Sequence, residues 1–315
     1  MILLPAAAPG AAVTLGSRRI LAPGRWRWLR ALLWLVGLFV LVALAFVLVA
    51  GLSLAALLVA TGQPMPALGT SVHAPPAMLF ATMSLGALAA LGAYAGLARL
   101  GEDRRPAELA LPPAPRELLV GLLLGAAMMA VTVFLLWAGG WAILARQPVT
   151  AIWSAIGNSI ESGIVEETLF RLVIFRLLWR AFGPWAALGL SALLFGAIHL
   201  MNPNASPFAA LCIALEAGVM LAAFYILTGR LWVSIGVHAG WNFTQGWIFG
   251  AAVSGTGGFA GGPLSLAPTP GASPILSGGG FGPEASLAGL AVGTAVGAFA
   301  LHRAWRAGRF TPVDP

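Results

Sequence analysis

Charged residues are scarce in this chain of 315 residues, which contains 9% Asp, Glu and Arg and no lysine. Soluble domains carry about 25% charged residues. Hydrophobic residues make up 59% of the sequence, and its mean hydropathy is +0.92. These values exclude a soluble globular domain. They predict an all-α polytopic membrane protein whose helices pack against one another within the lipid bilayer.

Cysteine occurs once, as Cys212 within an apolar run. A single cysteine excludes a disulfide framework and a cysteine-based metal site, so we interpret Cys212 as a small buried packing residue. The first 17 residues contain no basic residue, and five arginines follow just before a long apolar segment. This order is typical of an uncleaved first membrane span rather than of a cleaved signal peptide.

All seventeen basic residues are arginine, and the net charge is +7. A nucleic-acid-binding surface would need a basic face interleaved with polar residues, which the sequence lacks, so we expect no nucleic-acid partner. The positive-inside rule explains the excess instead, because sixteen of the seventeen arginines fall in alternate connecting segments. These segments are 1–30, 99–116, 171–183, 229–230 and 303–315. The pattern predicts a multi-pass protein of the cell membrane with both termini in the cytoplasm.

A membrane-spanning helix needs about 20 mostly apolar residues. By this measure the sequence predicts about eight transmembrane helices. They cover residues 31–58, 77–99, 117–144, 151–179, 184–201, 207–228, 231–250 and 285–302.

Several ionisable residues fall inside these predicted spans, where a charged side chain at mid-bilayer costs about 2.5–3.5 kcal/mol. Such side chains are tolerated when they face an interior cavity and pair with one another. They are Glu161, Glu166, Glu167, Arg171, His199, Glu216 and His238. The sequence therefore predicts a polar cavity between the helices.

Glu166, Glu167 and Arg171 form the pattern Glu-Glu-x-x-x-Arg. Residues four apart share a helix face, so Glu167 and Arg171 can form an ion pair. Glu166 lies about 100° further around the helix and is left free for another role. The structural alternative is an ion pair that only locks two spans together.

Two further pairs of residues have the same four-residue spacing. Phe195 and His199 lie near the end of the fifth predicted span, and His238 and Asn242 lie in the seventh. His238 and Asn242 point the same way and can both donate hydrogen bonds to one developing negative charge. Taken singly, each pair is also explained by packing or by hydrogen bonds between helices.

Taken together, a buried carboxylate, two imidazoles and an amide are the groups needed to attack a carbonyl with water. The carboxylate removes a proton from the water, and the hydrogen-bond donors stabilise the oxyanion of the tetrahedral intermediate. Because water is scarce at this depth, the site must also hold it in position.

The sequences EETLFR, FGAIH and HAGWN, which begin at Glu166, Phe195 and His238, occur in this order on separate predicted spans. They resemble the EExxxR, FxxxH and HxxxN/D motifs of the CAAX-processing and bacteriocin-processing (CPBP) family. These are intramembrane glutamic endopeptidases related to the eukaryotic CAAX prenyl proteases. The resemblance covers about residues 150–250, and the first three spans and the last carry no motif.

The resemblance implies that Glu166 is the base that activates water and that His199 orients this water. His238 and Asn242 would form the oxyanion hole. The expected supporting residues are Glu167, Arg171 and Phe195. No cofactor is implied, and the expected substrate is a membrane-associated protein or peptide.

These interpretations divide the chain into five parts. We expect a basic cytoplasmic N-terminal segment, a group of N-terminal transmembrane helices, a catalytic core, a flexible Gly/Pro-rich external loop, and a last helix with a cytoplasmic tail. The corresponding residues are 1–30, 31–149, 150–250, 251–284 and 285–315.

Two alternatives use the same residues differently. In the first, His199, His238 and a glutamate bind zinc, as in a zinc-dependent membrane metalloprotease. The sequence has no HExxH motif, and Asn242 would be a poor zinc ligand. In the second, the protein is a transporter or scaffold with a buried polar cluster. Glu216, which lies outside the family pattern, is unassigned in either case.

The depths of the candidate residues are not obviously compatible. Along ideal helices of 1.5 Å per residue, Glu166 and His199 lie about 20 Å from the cytoplasmic ends of their spans, whereas His238 lies about 12 Å from its own. The helices must therefore tilt, or begin at different depths, for these residues to meet.

Overall fold

The computed structural model describes residues 12–65, 74–150 and 152–310. Within these ranges the chain forms eight long helices and one two-stranded sheet, which confirms the predicted all-α polytopic fold. Residues 1–11 of the predicted N-terminal segment and 311–315 of the predicted tail lie outside the described residues. The long helices are α1 (Arg27–Ala60), α2 (Pro76–Glu102), α3 (Ala114–Ala138), α4 (153–182), α5 (Pro184–Met201), α6 (Pro207–Thr228), α7 (232–248) and α9 (Leu287–Arg306).

Six of these helices, α1, α2, α3, α5, α6 and α9, are long and apolar enough to cross a membrane. The other two, α4 and α7, coincide with the remaining predicted spans. Helix α4 carries several acidic and basic residues, and α7 is shorter than the six. These two helices contain most of the candidate site residues, so the candidates are concentrated on the least apolar helices.

The predicted third span, 117–144, is too long at its C-terminal end. Helix α3 ends at Ala138, two glycines follow, and residues Ala142–Arg146 form strand β1. Strand β1 pairs antiparallel with β2 (Leu264–Pro268). The apolar sequence of β1 resembles a continuing helix, and its partner lies too far along the chain for a local pattern to show it.

Three of the long helices contain π-helical turns, which are uncommon and frequently occur at functional sites. They cover Ser162–Glu166 and Thr168–Phe175 in α4, Ala214–Val219 in α6, and Thr244–Ile248 in α7. Glu166, Arg171 and Glu216 lie within these turns. Ideal α-helical spacing is therefore not kept at the buried polar residues, which the sequence pattern did not predict.

Glycines set a close approach between α3 and α7. A Cβ atom on Gly121 would lie 2.8 Å from the Cα of Gly236, and one on Gly240 would lie 2.9 Å from backbone atoms of Leu122. The spacing Gly236-x-x-x-Gly240 is the small-x-x-x-small arrangement that lets membrane helices pack backbone to backbone. This contact fixes the depth and rotation of α7, which carries His238 and Asn242.

A buried charge network joins α2, α4 and the segment that follows α2. The guanidinium of Arg176 donates to both carboxylate oxygens of Glu102, at 3.0 and 2.7 Å. Arg104 also pairs with Glu102, at 2.5 Å, and with Glu108, at 2.8 Å. Arg176, which the arginine count assigned to a connecting segment, is therefore a buried residue of α4. Residues 171–182 do not form a connecting segment, because α4 continues to residue 182.

Residues 251–284 fold back against the helices. Besides β2, they contain the short helix α8 (Pro274–Ser277) and the buried side chains of Phe259, Phe281 and Glu284. We expected a flexible Gly/Pro-rich external loop here. The segment also contains regular structure, because it pairs with β1 and packs on helices distant in sequence. The Gly, Pro and Ser composition carries no sign of those contacts.

Candidate active site

Glu167 is the centre of a chain of polar contacts between α4 and α7. One of its carboxylate oxygens lies 3.0 Å from Nη1 of Arg171, as the four-residue spacing predicts, and 2.9 Å from Nδ1 of His238. Glu167 is fully buried, and Arg171 and His238 are also buried. A carboxylate can only accept hydrogen bonds, so the hydrogen of this contact belongs to Nδ1 of His238.

Glu166 faces a different environment from its neighbour. Its side chain is 30% exposed, and one carboxylate oxygen lies 4.0 Å from Nε2 of His238. The ring of His238 therefore has a carboxylate on each side, with Glu167 in direct contact and Glu166 slightly beyond hydrogen-bond distance. Glu166 and His238 therefore lie close together, although ideal helices would place them at different depths in the membrane.

Phe195 holds the second histidine and the arginine in place. Nδ1 of His199 lies 2.7 Å from the carbonyl oxygen of Phe195. Since a carbonyl only accepts, Nδ1 carries the hydrogen, and the neutral ring presents Nε2 as an acceptor. The phenyl ring of Phe195 packs beside His199 and meets His238 edge-on, with ring centroids 4.9 and 6.3 Å apart. The guanidinium of Arg171 lies over the same ring, 4.7 Å from its centroid.

Asn242 lies one turn beyond His238 on α7 and is buried. Its amide nitrogen donates to the hydroxyl of Ser162 at 3.0 Å. An amide group has two N–H donors, so this contact leaves one donor available. Ser162 is a residue of the site that no sequence motif indicated.

The four principal residues, Glu166, His199, His238 and Asn242, line one cavity of about 260 Å³. Helices α4, α5 and α7 form its walls, and residues 253–259 cover it. The cover contributes the side chains of Val253, Ser254, Thr256 and Phe259, none of which the sequence indicated. Asn158 ties the cover to α4, because its amide donates to the carbonyl of Gly258 at 2.8 Å.

Glu161 also lines this cavity, as its position five residues before Glu166 allows. Among the described residues, no group of three or more His, Cys, Asp or Glu side chains is arranged to hold a metal ion. Both histidines use Nδ1, in contacts with Phe195 and Glu167, which leaves Nε2 of each ring for other contacts. Their geometry suits hydrogen bonding to water and to a reacting carbonyl.

These features define a multi-pass membrane protein with a carboxylate–imidazole site in a cavity between its helices. Residues 148–244 match the sequence model of the family described as type II CAAX prenyl endopeptidase Rce1-like, which confirms the family predicted from the three motifs. All four principal site residues fall within the matched segment. This match, to 97 of the 315 residues, supports a CAAX protease-like membrane endopeptidase. No curated protein and no solved structure matches the chain.

Proposed function

We propose that the protein hydrolyses a peptide bond of a membrane-associated protein or peptide, with a water molecule activated by Glu166. The observation that supports this best is the shared cavity, which the partly exposed carboxylate of Glu166 lines together with two histidines and an amide. These groups come from three helices, and each has a distinct part in attack on a carbonyl.

Glu166 and His199 hold the attacking water. A water molecule has two hydrogens, and two acceptors that line the cavity, the carboxylate of Glu166 and Nε2 of His199, can take them. Donation to both would leave an oxygen lone pair directed at the substrate carbonyl. As the oxygen bonds to the carbonyl carbon, Glu166 takes one proton. It returns this proton to the nitrogen when the carbon–nitrogen bond breaks, so it ends the cycle as a carboxylate.

Asn242 and His238 stabilise the oxyanion. Asn242 donates through the N–H that Ser162 does not use. His238 already donates through Nδ1 to Glu167, so its Nε2 can donate only when the ring is protonated. Glu167 at 2.9 Å and Glu166 at 4.0 Å provide two nearby carboxylates for that cationic ring. A charged donor forms a stronger hydrogen bond to an oxyanion than a neutral one.

Glu167, Arg171 and Phe195 support these groups without touching the substrate. Arg171 neutralises Glu167 and donates to the carbonyl of Ala217 on α6 at 2.8 Å, which links the site to a fourth helix. Phe195 separates the two histidine rings. Removal of any of the three should loosen the positions of the imidazoles.

The test uses the purified protein in detergent and a synthetic farnesylated peptide that ends in a Cys-a-a-X sequence. The same peptide without its prenyl group is the comparison, and mass spectrometry detects the products. We expect wild-type protein to cleave one or both peptides and folded Glu166→Gln protein to cleave neither. Equal cleavage by the Glu166→Gln protein would refute the proposal.

A chelator distinguishes this mechanism from the zinc alternative. If Glu166 activates the water, cleavage should continue after exhaustive chelation, and active protein should contain far less than one zinc per chain. If zinc activates the water, removal of the metal must abolish cleavage and its return must restore it.

A further inference from the structure

A second, smaller cavity lies behind the proposed active site. Its volume is about 30 Å³, and His199, His238, Asn242 and Ser254 line it as well as the larger cavity. These residues thus form a wall between the two spaces. We call the larger space the outer cavity and the smaller one the inner cavity. On the side away from the outer cavity, the inner cavity is bordered by carboxyl groups that the proposed mechanism does not use.

Glu216 is the first of these groups. It lies on the π-helical turn of α6, and 1% of its surface is exposed. Neither carboxyl oxygen has a hydrogen-bond partner among the described residues. Gly293 of α9 packs against it so closely that a Cβ atom there would lie 3.0 Å from the Cα of Glu216. A glycine at this point lets α9 approach the backbone of α6 at Glu216.

Glu284, which precedes α9, is the second group. It is buried and accepts a hydrogen bond from the backbone N–H of Ser254. Burial raises the pKa of Glu284 to about 7, although the hydrogen bonds from Ser254, Gln245 and Trp241 oppose this shift. Glu284 can therefore be ionised or neutral at physiological pH.

The charge around Glu216 does not compensate an ionised carboxylate. Among the described residues it forms no ion pair, and the nearest turn of its own helix contributes only the thiol of Cys212. From the neighbouring elements the inner cavity receives Glu284, His199 and His238, and Arg171 is directed to Glu167 and to the carbonyl of Ala217. A buried carboxyl group without a cation is stable as the neutral acid, provided that it finds hydrogen-bond partners.

A water molecule matches the inner cavity in size and in chemistry. A cavity of at least about 10–15 Å³ can hold one molecule, and a buried water typically makes about three hydrogen bonds to polar groups that lack other partners. Glu216 and Glu284 stand on one side of the cavity, and the imidazole and amide groups of the wall stand on the other.

We propose that Glu216 is a protonated positioning residue, which together with Glu284 holds one water molecule that supports the wall of His199, His238 and Asn242 from behind. This role rests on the proposed peptide hydrolysis, because its purpose is to keep those side chains aligned for it. Protonation of Glu216 can be measured without any substrate.

Infrared spectroscopy of the purified protein tests the protonation. The carbonyl band of a protonated carboxylic acid is distinct from the bands of a carboxylate. We expect the spectrum of wild-type protein at pH 8 to contain such a band and the spectrum of Glu216→Gln to lack it, so that the band remains when the second spectrum is subtracted from the first. The matched control is Met220→Leu. Met220 also lines the inner cavity, and its substitution removes no carboxyl group, so this variant should keep the band. Identical bands in wild type and Glu216→Gln would show that Glu216 is ionised and overturn the proposal.

Two substitutions then separate a positioning role from a structural one. Gln is neutral and can bond the water, so Glu216→Gln should keep kcat close to wild type. Leu has a similar volume but cannot bond the water, so Glu216→Leu should fold at least as stably and yet lose kcat about tenfold, with KM unchanged, as is typical when a supporting contact is removed. Full activity of Glu216→Leu would contradict the positioning role. An equal loss in both variants would show that an ionised carboxylate is needed.

The peptide assay for these variants is the one described above. If wild-type protein cleaves neither peptide, the proposed function fails and the positioning role fails with it. The infrared comparison would still decide whether Glu216 carries a proton, so the two failures are distinguishable.

Discussion

Adjacent glutamates of α4 lie in contrasting environments in this site. Glu166 is partly exposed to the outer cavity, whereas Glu167 is fully buried against Arg171 and His238. We expect Glu166→Gln to abolish hydrolysis and to leave the thermal unfolding temperature unchanged. Glu167→Gln should instead lower stability by about 3–5 kcal/mol, because it leaves the charge of Arg171 buried without its partner.

Hydrolysis assays and thermal unfolding in detergent, applied to both variants, measure this difference. Each variant is the control for the other, since both make the same chemical change at neighbouring positions. A large loss of stability in Glu166→Gln with no loss in Glu167→Gln would reverse the two assignments.

Asn242 gives an independent test of the oxyanion hole. Asn242→Ala removes the proposed donor and should reduce kcat about 10²–10³-fold, the usual effect of removing one such donor. Ser162→Ala removes only the group that accepts the other N–H of Asn242 at 3.0 Å. We expect the serine variant to keep most of the activity. If both variants lose stability and neither loses turnover specifically, Asn242 is a structural residue.

At the scale of single residues, the sequence indicated the polar positions well and their partners only in part. The spacing of Glu167 and Arg171 predicted their ion pair, because residues four apart on a helix must meet. The contacts of Glu167 with His238 and of Asn242 with Ser162 join helices far apart in the chain. No local spacing specifies such contacts, so they required the structure.

At the scale of elements, the glycine contact between α3 and α7 controls the depth of the site. Gly240→Ala would place a Cβ atom within 2.9 Å of the backbone of Leu122. We expect overpacking to cost about 1–3 kcal/mol and the displacement of α7 to reduce kcat as well. Thermal unfolding and the peptide assay measure the two effects.

Gly189 of α5 is a matched control for this substitution. It also lies within a long helix, but a Cβ atom there would have no neighbour within 4 Å. Gly189→Ala should therefore leave stability and activity unchanged or slightly improve stability, since Ala favours a helix over Gly. Equal effects of the two substitutions would show that the close approach of α3 and α7 is unimportant.

The elements themselves were predicted unevenly. Long apolar stretches located the helices to within a few residues, because the bilayer imposes a length on them. The strand β1, the π-helical turns and the cover formed by residues 253–259 were missed. The strand and the cover depend on tertiary contacts, such as the pairing of Ala142 with Pro268 across more than a hundred residues.

At the scale of the whole molecule, the arginine distribution predicts which end of the helix bundle faces the cytoplasm. Ala107 and Ser273 are both exposed, and the prediction places Ala107 in the cytoplasm and Ser273 outside the cell. The native Cys212 is buried. We expect Ser273→Cys to react with a membrane-impermeant thiol reagent added to intact cells and Ala107→Cys to react only after the cells are opened. The reverse labelling would place the cover of the outer cavity on the cytoplasmic side.

The charges of α4 constrain how the protein is assembled in the membrane. This helix carries Glu161, Glu166, Glu167, Arg171, Arg176 and Arg180. At about 2.5–3.5 kcal/mol for each charged residue near the centre of a span, it cannot enter lipid alone. Glu102 of α2, which pairs with Arg176, is synthesised before α4, but the partners on α6 and α7 are synthesised after it. We therefore expect α4 to insert fully only when the later helices are present, and a chain truncated before α7 should leave it less protected by the lipid than the full chain does.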